Sequence, residues 1–119
     1  MEQFDIPLFK KLYDLYRSMH SFRGAIPKQD RFTVWQKCET TLLNILEAVL
    51  LASQIPKAEK LPVIERASHD LNSLRIFFRL SLEIKAIDNK KYISLQTNTD
   101  EVGRMLGGWI KSTKEVRKQ

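Results

Sequence analysis

The sequence has little of several features that define other classes of protein. Its 119 residues include one cysteine, Cys38, so no disulfide can form within the chain and nothing favours an oxidising compartment. No apolar run approaches the roughly 20 residues that cross a membrane. The opening residues, MEQFDIPLFKK, lack the apolar segment of a secretion signal. We therefore expect a soluble, cytoplasmic protein with no membrane partner.

Residues that carry metal or catalytic chemistry are also sparse. The two histidines, His20 and His69, have no companion ligand at the spacing of a metal site. Di-iron helical bundles need repeated Glu-x-x-His pairs, and the sequence has none. Its clustered glycines do not follow a strand, as a nucleotide-binding loop requires. We expect no metal, no cofactor, no small-molecule substrate and no enzymatic activity, with Cys38 a small buried residue.

The apolar residues recur every three or four positions, which is typical of helices, and no useful length of strand-like alternation occurs. Turn-forming stretches at 23–29, 53–62 and 86–91 divide this pattern into four segments. Short loops between long helices favour antiparallel neighbours. The sequence therefore predicts an all-α fold, a single up-down antiparallel four-helix bundle over residues 1–119. Its helices are predicted at about 6–22, 29–53, 58–86 and 89–117, with Asp88 capping the last.

Each predicted helix has an apolar face that we expect to line the core. In chain order these faces are Leu8, Leu12, Leu15, Tyr16, Met19 and Phe22; then Phe32, Trp35, Leu42, Leu43, Leu46, Val49 and Leu50; then Ile64, Ala67, Leu71, Leu74, Phe78 and Leu82; and finally Tyr92, Leu95, Val102, Leu106, Trp109 and Val116.

The third helix has a second apolar face, nearly opposite the first. It holds Ile76, Phe77, Leu80, Ile84 and Ile87. Burying one such side chain contributes roughly 1.5–3 kcal/mol, so an exposed second face favours association. We predict a homo-oligomer whose interface includes Ile76, Phe77, Leu80 and Ile84. The alternative is that the first helix folds across this face and covers it.

Basic residues are concentrated in the last segment, which also contains three of the four glycines. Residues 89–119 carry seven Lys or Arg against three Asp or Glu, which is most of the net charge of +6. Glycine on a helix flank allows close approach of either another helix or a phosphate backbone. A clustered basic surface is typical of nucleic-acid binding. The alternative is a solvated helix face that is basic only for solubility. The predicted nucleic-acid-binding residues on the flank of Gly107 and Gly108 are Arg104, Lys111, Lys114 and Lys118.

Two arginines of the third helix join these candidates. Arg75 and Arg79 lie one turn apart on the border between the two apolar faces. They either pair with nearby Asn72 and Glu83 or face a partner. A smaller basic set on and after the first helix is interpreted as a solvated face: Lys10, Lys11, Arg17 and Arg23.

Three stretches of the sequence resemble one protein family. They are IPKQDRFTVWQKCETTLLNILEAVLLA, KLPVIERASHDLNSLRIFFRLSLEIKAI and VGRMLGGWIKS. Over about residues 4–114 the chain is similar to the accessory variability determinant (Avd) proteins of diversity-generating retroelements. The closing GRMLGGWIKS and the PK-x-x-R that opens the second helix are the most specific parts. Bundles encoded by intervening sequences of bacterial large-subunit ribosomal RNA are similar and less close.

The resemblance implies a non-catalytic four-helix bundle that assembles into a basic, five-membered ring. It implies two partners. One is the reverse transcriptase of the element, and the other is a nucleic acid, either the template RNA or DNA. The implied role is support of mutagenic cDNA synthesis and retrohoming, which diversify a target gene. Two alternatives remain: a protein-interaction adaptor that binds an acidic partner, and a protein of the ribosomal RNA intervening sequences with no reverse-transcriptase partner.

Overall fold

The computed structural model describes residues 5–118, with side chains described for residues 6–115. Four long helices make up most of it: α1 (Asp5–Phe22), α2 (Val34–Gln54), α3 (Lys57–Glu83) and α4 (Asn89–Lys118). A 3-10 turn, Arg23–Ala25, and one helical turn, Lys28–Arg31, join α1 to α2. The described residues contain no strand. The all-α fold expected from the sequence is therefore confirmed.

The four helices pack side by side in a closed order. α2 lies along α3, α3 lies along α4, and α1 packs against both α2 and α4. α1 and α3 are therefore diagonal neighbours in an elongated four-helix bundle of 50 × 20 × 19 Å. Because α3 has neighbours only on its two flanks, its outer side is left without a covering helix.

One continuous core runs through the bundle, and three large aromatic side chains lie within it. The rings of Trp35 and Phe78 pack with centroids 6.2 Å apart, and Trp109 is buried on α4. Trp35 Nε1 donates a hydrogen bond to the Met19 carbonyl at 3.3 Å, which ties α2 to α1. The fully buried indole thus has its donor satisfied, as a buried tryptophan requires.

The second helix differs from its prediction in start and width. α2 begins at Val34 rather than near residue 29, because the backbone leaves the helical region at Thr33 (φ −117°, ψ −98°). Phe32, Leu43 and Leu50 are exposed, so their assignment to the core is wrong. The two leucines each follow a buried residue by one position, and one step around a helix rotates a side chain by about 100°. That rotation carries them past the edge of the buried arc.

The third helix ends at Glu83, three residues earlier than predicted, in a left-handed cap. Lys85 has φ 65°, and the Ala86 N–H donates to the Ser81 carbonyl at 2.8 Å. This is the hydrogen bond of a Schellman motif, in which glycine is the usual left-handed residue. The reversal turns Ile87 into the core, so its place on the second apolar face is also a wrong prediction.

Polar contacts lie at both ends of the bundle, one within the start of α4 and one between α3 and its neighbours. At its start, the Lys91 N–H donates to Asp88 Oδ1 at 2.8 Å, which confirms Asp88 as the cap. That hydrogen bond holds the pKa of the Asp88 carboxyl below its ordinary value. At the other end, buried Lys60 donates to the Ala52 carbonyl and lies 6.0 Å from the centroid of the Trp109 ring. Lys60 therefore connects the start of α3 both to α2 and to the buried indole of α4.

Candidate nucleic-acid interface

The second apolar face of α3 remains open in the monomer. Ile76, Leu80 and Ile84 are 67%, 43% and 45% exposed, and we call these three residues the apolar stripe. Phe77 is half-buried and packs partly on the core. Since α1 packs on α2 and α4, the alternative in which the first helix covers this face is wrong.

A groove between α3 and α4 brings together residues that are far apart in sequence. We call it the α3/α4 groove. Arginines enter it from both helices, Arg75 from α3 and Arg104 from α4. The flank of α3 that carries Arg75 is therefore the flank that meets Gly103 of α4. The residues that line the groove are Ser68, Leu71, Asn72, Arg75, Asp100, Gly103 and Arg104.

Arg75 is the most enclosed cation of the groove. Its Nη1 donates to Asn72 Oδ1 at 3.2 Å, and its Nη2 approaches Asp100 Oδ1 at 3.2 Å and the Thr99 carbonyl at 3.5 Å. Its Nε is buried and has no hydrogen-bond partner among the described residues. Charge-assisted N–H···O bonds are usually about 2.7–2.9 Å long. The guanidinium is therefore held by several long contacts rather than by one short, bidentate ion pair.

Arg79 lies one turn further along α3 and pairs within its own helix. Its Nε donates to Glu83 Oε1 at 3.0 Å, with both side chains largely exposed. The hydrogen bond to Glu83, and a smaller one to Tyr92 of α4, raise the pKa of Arg79. The sequence left pairing and partner contact open for both arginines. The structure gives each a carboxylate neighbour while leaving Arg79 on the surface.

The remaining predicted cations continue along α4. Arg104, Lys111 and Lys114 are exposed, and the side chain of Lys118 lies outside the described residues. Lys111 is seven positions from Arg104, and Lys114 is seven from Gly107, so both repeat the flank on which the groove opens. From Arg104 to Lys114 this line extends about 15 Å at 1.5 Å per residue. We call Arg75, Arg79, Arg104, Lys111 and Lys114 the basic stripe.

The glycines of this flank have different local surroundings. A Cβ at position 103 would lie 2.6 Å from Arg75 Nη2, so Gly103 makes room for the guanidinium. A Cβ at position 107 would meet nothing within 4 Å. Glycine costs about 1 kcal/mol relative to alanine in a helix interior. Within the monomer that cost has a packing reason at Gly103 and none at Gly107.

Replacing Gly107 by alanine should therefore raise the free energy of unfolding by about 1 kcal/mol, and the melting temperature by roughly 4 °C. The added methyl group meets no neighbour, and alanine has the higher helix propensity. The matched control is Gly103→Ala, whose gain should be smaller because the Arg75 guanidinium has to move. Thermal unfolding at one protein concentration measures both variants, and equal gains would contradict the role of Gly103.

The described residues offer no site for metal chemistry or thiol chemistry. They contain no group of three His, Cys, Asp or Glu side chains that could hold a metal ion. Cys38 is fully buried, as the sequence predicts, and burial raises the pKa of its thiol to about 12. A thiol that stays protonated is a poor nucleophile. None of the helices in the described part of the chain is long and apolar enough to cross a membrane.

Asp100 and Ser68 are the groove residues that the sequence did not single out. Asp100 lies one turn before Arg104 on α4, and its contact with Arg75 joins positions 25 residues apart. A spacing of four between an acid and an arginine is common on any solvated helix, so the sequence carried no specific signal. Only the pairing of α3 with α4 identifies Asp100 as a negative charge inside a basic groove.

Two comparisons with known proteins bear on this interface. A family model described as bAvd-like matches residues 7–113, which is most of the chain and includes the groove and every residue of the basic stripe except Lys114. No curated protein matches the chain. The matched range agrees with the extent of the resemblance identified from the sequence.

Proposed function

Because this chain belongs to the bAvd-like family, we propose that it is a non-catalytic accessory protein of a diversity-generating retroelement. It binds the template RNA and the reverse transcriptase of that element, and it supports mutagenic cDNA synthesis and retrohoming. The observation that carries the proposal is the basic stripe, which gathers cations of α3 and α4 along one outer edge of the bundle.

The chemistry of this edge favours a polyanion as the ligand. Its cations are three arginines and two lysines, and arginine pairs with phosphate through two parallel donors whereas lysine acts as a point charge. No aromatic side chain belongs to the stripe, so base stacking contributes little. Contacts to phosphates carry no base identity. The protein therefore recognises the shape and backbone of RNA rather than its sequence.

Self-assembly is the second part of the proposal. The apolar stripe lies on the outer side of α3, next to the flank that carries Arg75 and Arg79. Exposed aliphatic side chains in a row favour association, because burying them removes apolar surface from water. We propose that this stripe forms one side of the interface of a homo-oligomer, a five-membered ring by resemblance to the family, and meets a different surface of the next protomer. Assembly would then repeat the basic stripe around the outside of the ring.

RNA binding measured against salt tests the proposal. The purified protein should retain a transcribed RNA hairpin on a filter, and the logarithm of the binding constant should fall linearly with the logarithm of salt concentration. Five phosphate contacts predict a slope of about −3.5 to −4.5, at 0.7–0.9 per contact. A binding constant that hardly responds to salt, or no RNA binding at low salt, would overturn the RNA part of the proposal. Capture of the reverse transcriptase without RNA binding would favour the adaptor.

A further inference from the structure

We propose that the α3/α4 groove is a phosphate subsite of the nucleic-acid interface, and that Asp100 occupies it in the free protein. A phosphate of the bound RNA enters the groove beside Arg104 and replaces Asp100 as the partner of Arg75. This inference rests on the proposed function, because it names the position at which the basic stripe takes a phosphate.

The present partners of Arg75 leave its donors incompletely used. The guanidinium contacts Asp100 through one carboxylate oxygen at 3.2 Å, and its Nε has no partner among the described residues. A phosphate presents several strong acceptor oxygens and accepts two parallel N–H bonds from one guanidinium. An exchange of Asp100 for phosphate thus gains hydrogen bonds while the charge of Arg75 stays paired.

The α4 wall of the groove has room for that exchange. Gly103 places no side chain against Arg75, and a methyl group there would already lie 2.6 Å from Nη2. One turn later, Gly107 leaves space with no atom within 4 Å of its missing Cβ. Arg104 directly follows Gly103 in the sequence and lines the same groove. Two guanidinium groups can therefore approach one phosphate from opposite helices.

Asp100 opposes this binding electrostatically. Its side chain is about half exposed, so the carboxylate faces both the solvent and the groove. It neutralises Arg75 in the free protein and repels any phosphate that approaches, since like charges at close range disfavour each other. Asp100 therefore lowers the affinity for RNA, and its charge is displaced when RNA binds.

The test compares two Asp→Asn variants in the filter-binding assay with the RNA hairpin. Asp100→Asn keeps a hydrogen-bond acceptor for Arg75 and removes the negative charge. It should tighten RNA binding about 5-fold at 0.15 M salt, which is the gain expected from one additional phosphate contact that releases a counterion. Asp14→Asn makes the same chemical change on the exposed side of α1 and should change affinity less than 2-fold. Asp100→Ser is a second variant should Asp100→Asn unfold.

A cycle with Arg75 tests whether Asp100 acts through that side chain. Arg75→Gln should weaken RNA binding. When Asp100→Asn is added to Arg75→Gln, RNA affinity should rise little, because the guanidinium that Asp100 would release is already absent. Equal effects of Asp100→Asn and Asp14→Asn, with RNA binding intact, would overturn the groove while leaving the proposed function standing. If Asp100→Asn binds purified reverse transcriptase more tightly but RNA no more tightly, the ligand of the groove is an acidic protein rather than a phosphate. Loss of RNA binding in the unmodified protein would contradict the proposed function itself.

Discussion

Replacing Arg104 and Lys111 together by glutamate should weaken RNA binding on the order of 30-fold at 0.15 M salt. The reason is counterion release: each phosphate contact contributes nearly one power of salt concentration, so two contacts contribute about 1.5 decades between 0.15 M and 1 M. The salt slope should become shallower by about two at the same time. Both side chains are exposed on α4, so the substitutions leave the core intact. Filter binding over a range of salt concentrations measures both quantities.

α1 offers a matched control for this charge reversal. Lys10 and Arg17 are also exposed, also seven positions apart, and lie on the helix diagonally across from α3. Lys10→Glu with Arg17→Glu makes the same change in net charge, and it should weaken RNA binding several-fold less. Equal losses in the two double variants would mean that overall charge, rather than the basic stripe, determines affinity. Circular dichroism of both variants checks that each is folded.

Replacing Ile76 and Leu80 by aspartate should dissociate the homo-oligomer into single protomers at micromolar concentration. Both side chains are already exposed in the monomer, at 67% and 43%, so folding should change little. An interface that buried them would lose their apolar contribution and would have to desolvate two carboxylates, a combined cost of ~3 kcal/mol or more. That corresponds to association more than a hundredfold weaker. Light scattering reports the mass directly.

Ile93 provides the comparison for the assembly experiment. It is 60% exposed and lies on α4, whereas the apolar stripe belongs to α3. Ile93→Asp introduces the same charge at an equally exposed isoleucine and should leave the mass unchanged. If the unmodified protein is itself a monomer at micromolar concentration, the assembly part of the proposal fails whatever the variants do.

The two double variants also separate assembly from RNA binding. A ring repeats the basic stripe in every protomer, so one RNA can contact several copies, and linked sites bind more tightly than single ones. The Ile76 and Leu80 variant should therefore weaken RNA binding while leaving the contacts of each protomer in place. The Arg104 and Lys111 variant should weaken RNA binding with no change in mass.

Local sequence patterns were sufficient to predict the features of a helix that depend on residues only a few positions apart. The face of α1 repeats every three or four positions and is buried or half-buried along its length. Asp88 caps α4 through a bond to a backbone N–H three positions on. Periodicity and capping are short-range properties. For this reason the sequence alone predicted the all-α fold, the number of long helices and the exposure of Arg104, Lys111 and Lys114 on α4.

The errors occur where a neighbouring helix decides the outcome. Leu43 and Leu50 belong to a broad apolar arc on α2, but α1 and α3 cover only part of that arc. Lys85 takes a left-handed conformation that sequence associates with glycine, in the reversal that turns Ile87 into the core. Tertiary packing overrides local propensity at these positions.

The sequence by itself determined that this protein is a bundle of helices, that its positive charge is concentrated on the last helix, and that the third helix is apolar on both sides. The tertiary structure alone decided what those features do together. It placed α1 diagonally from α3, which left the apolar stripe open. It also set α3 against α4, which put Arg75 beside Asp100 and Gly103. The physical reason is range: helical periodicity acts over four residues, whereas a contact between two helices depends on how the whole bundle packs.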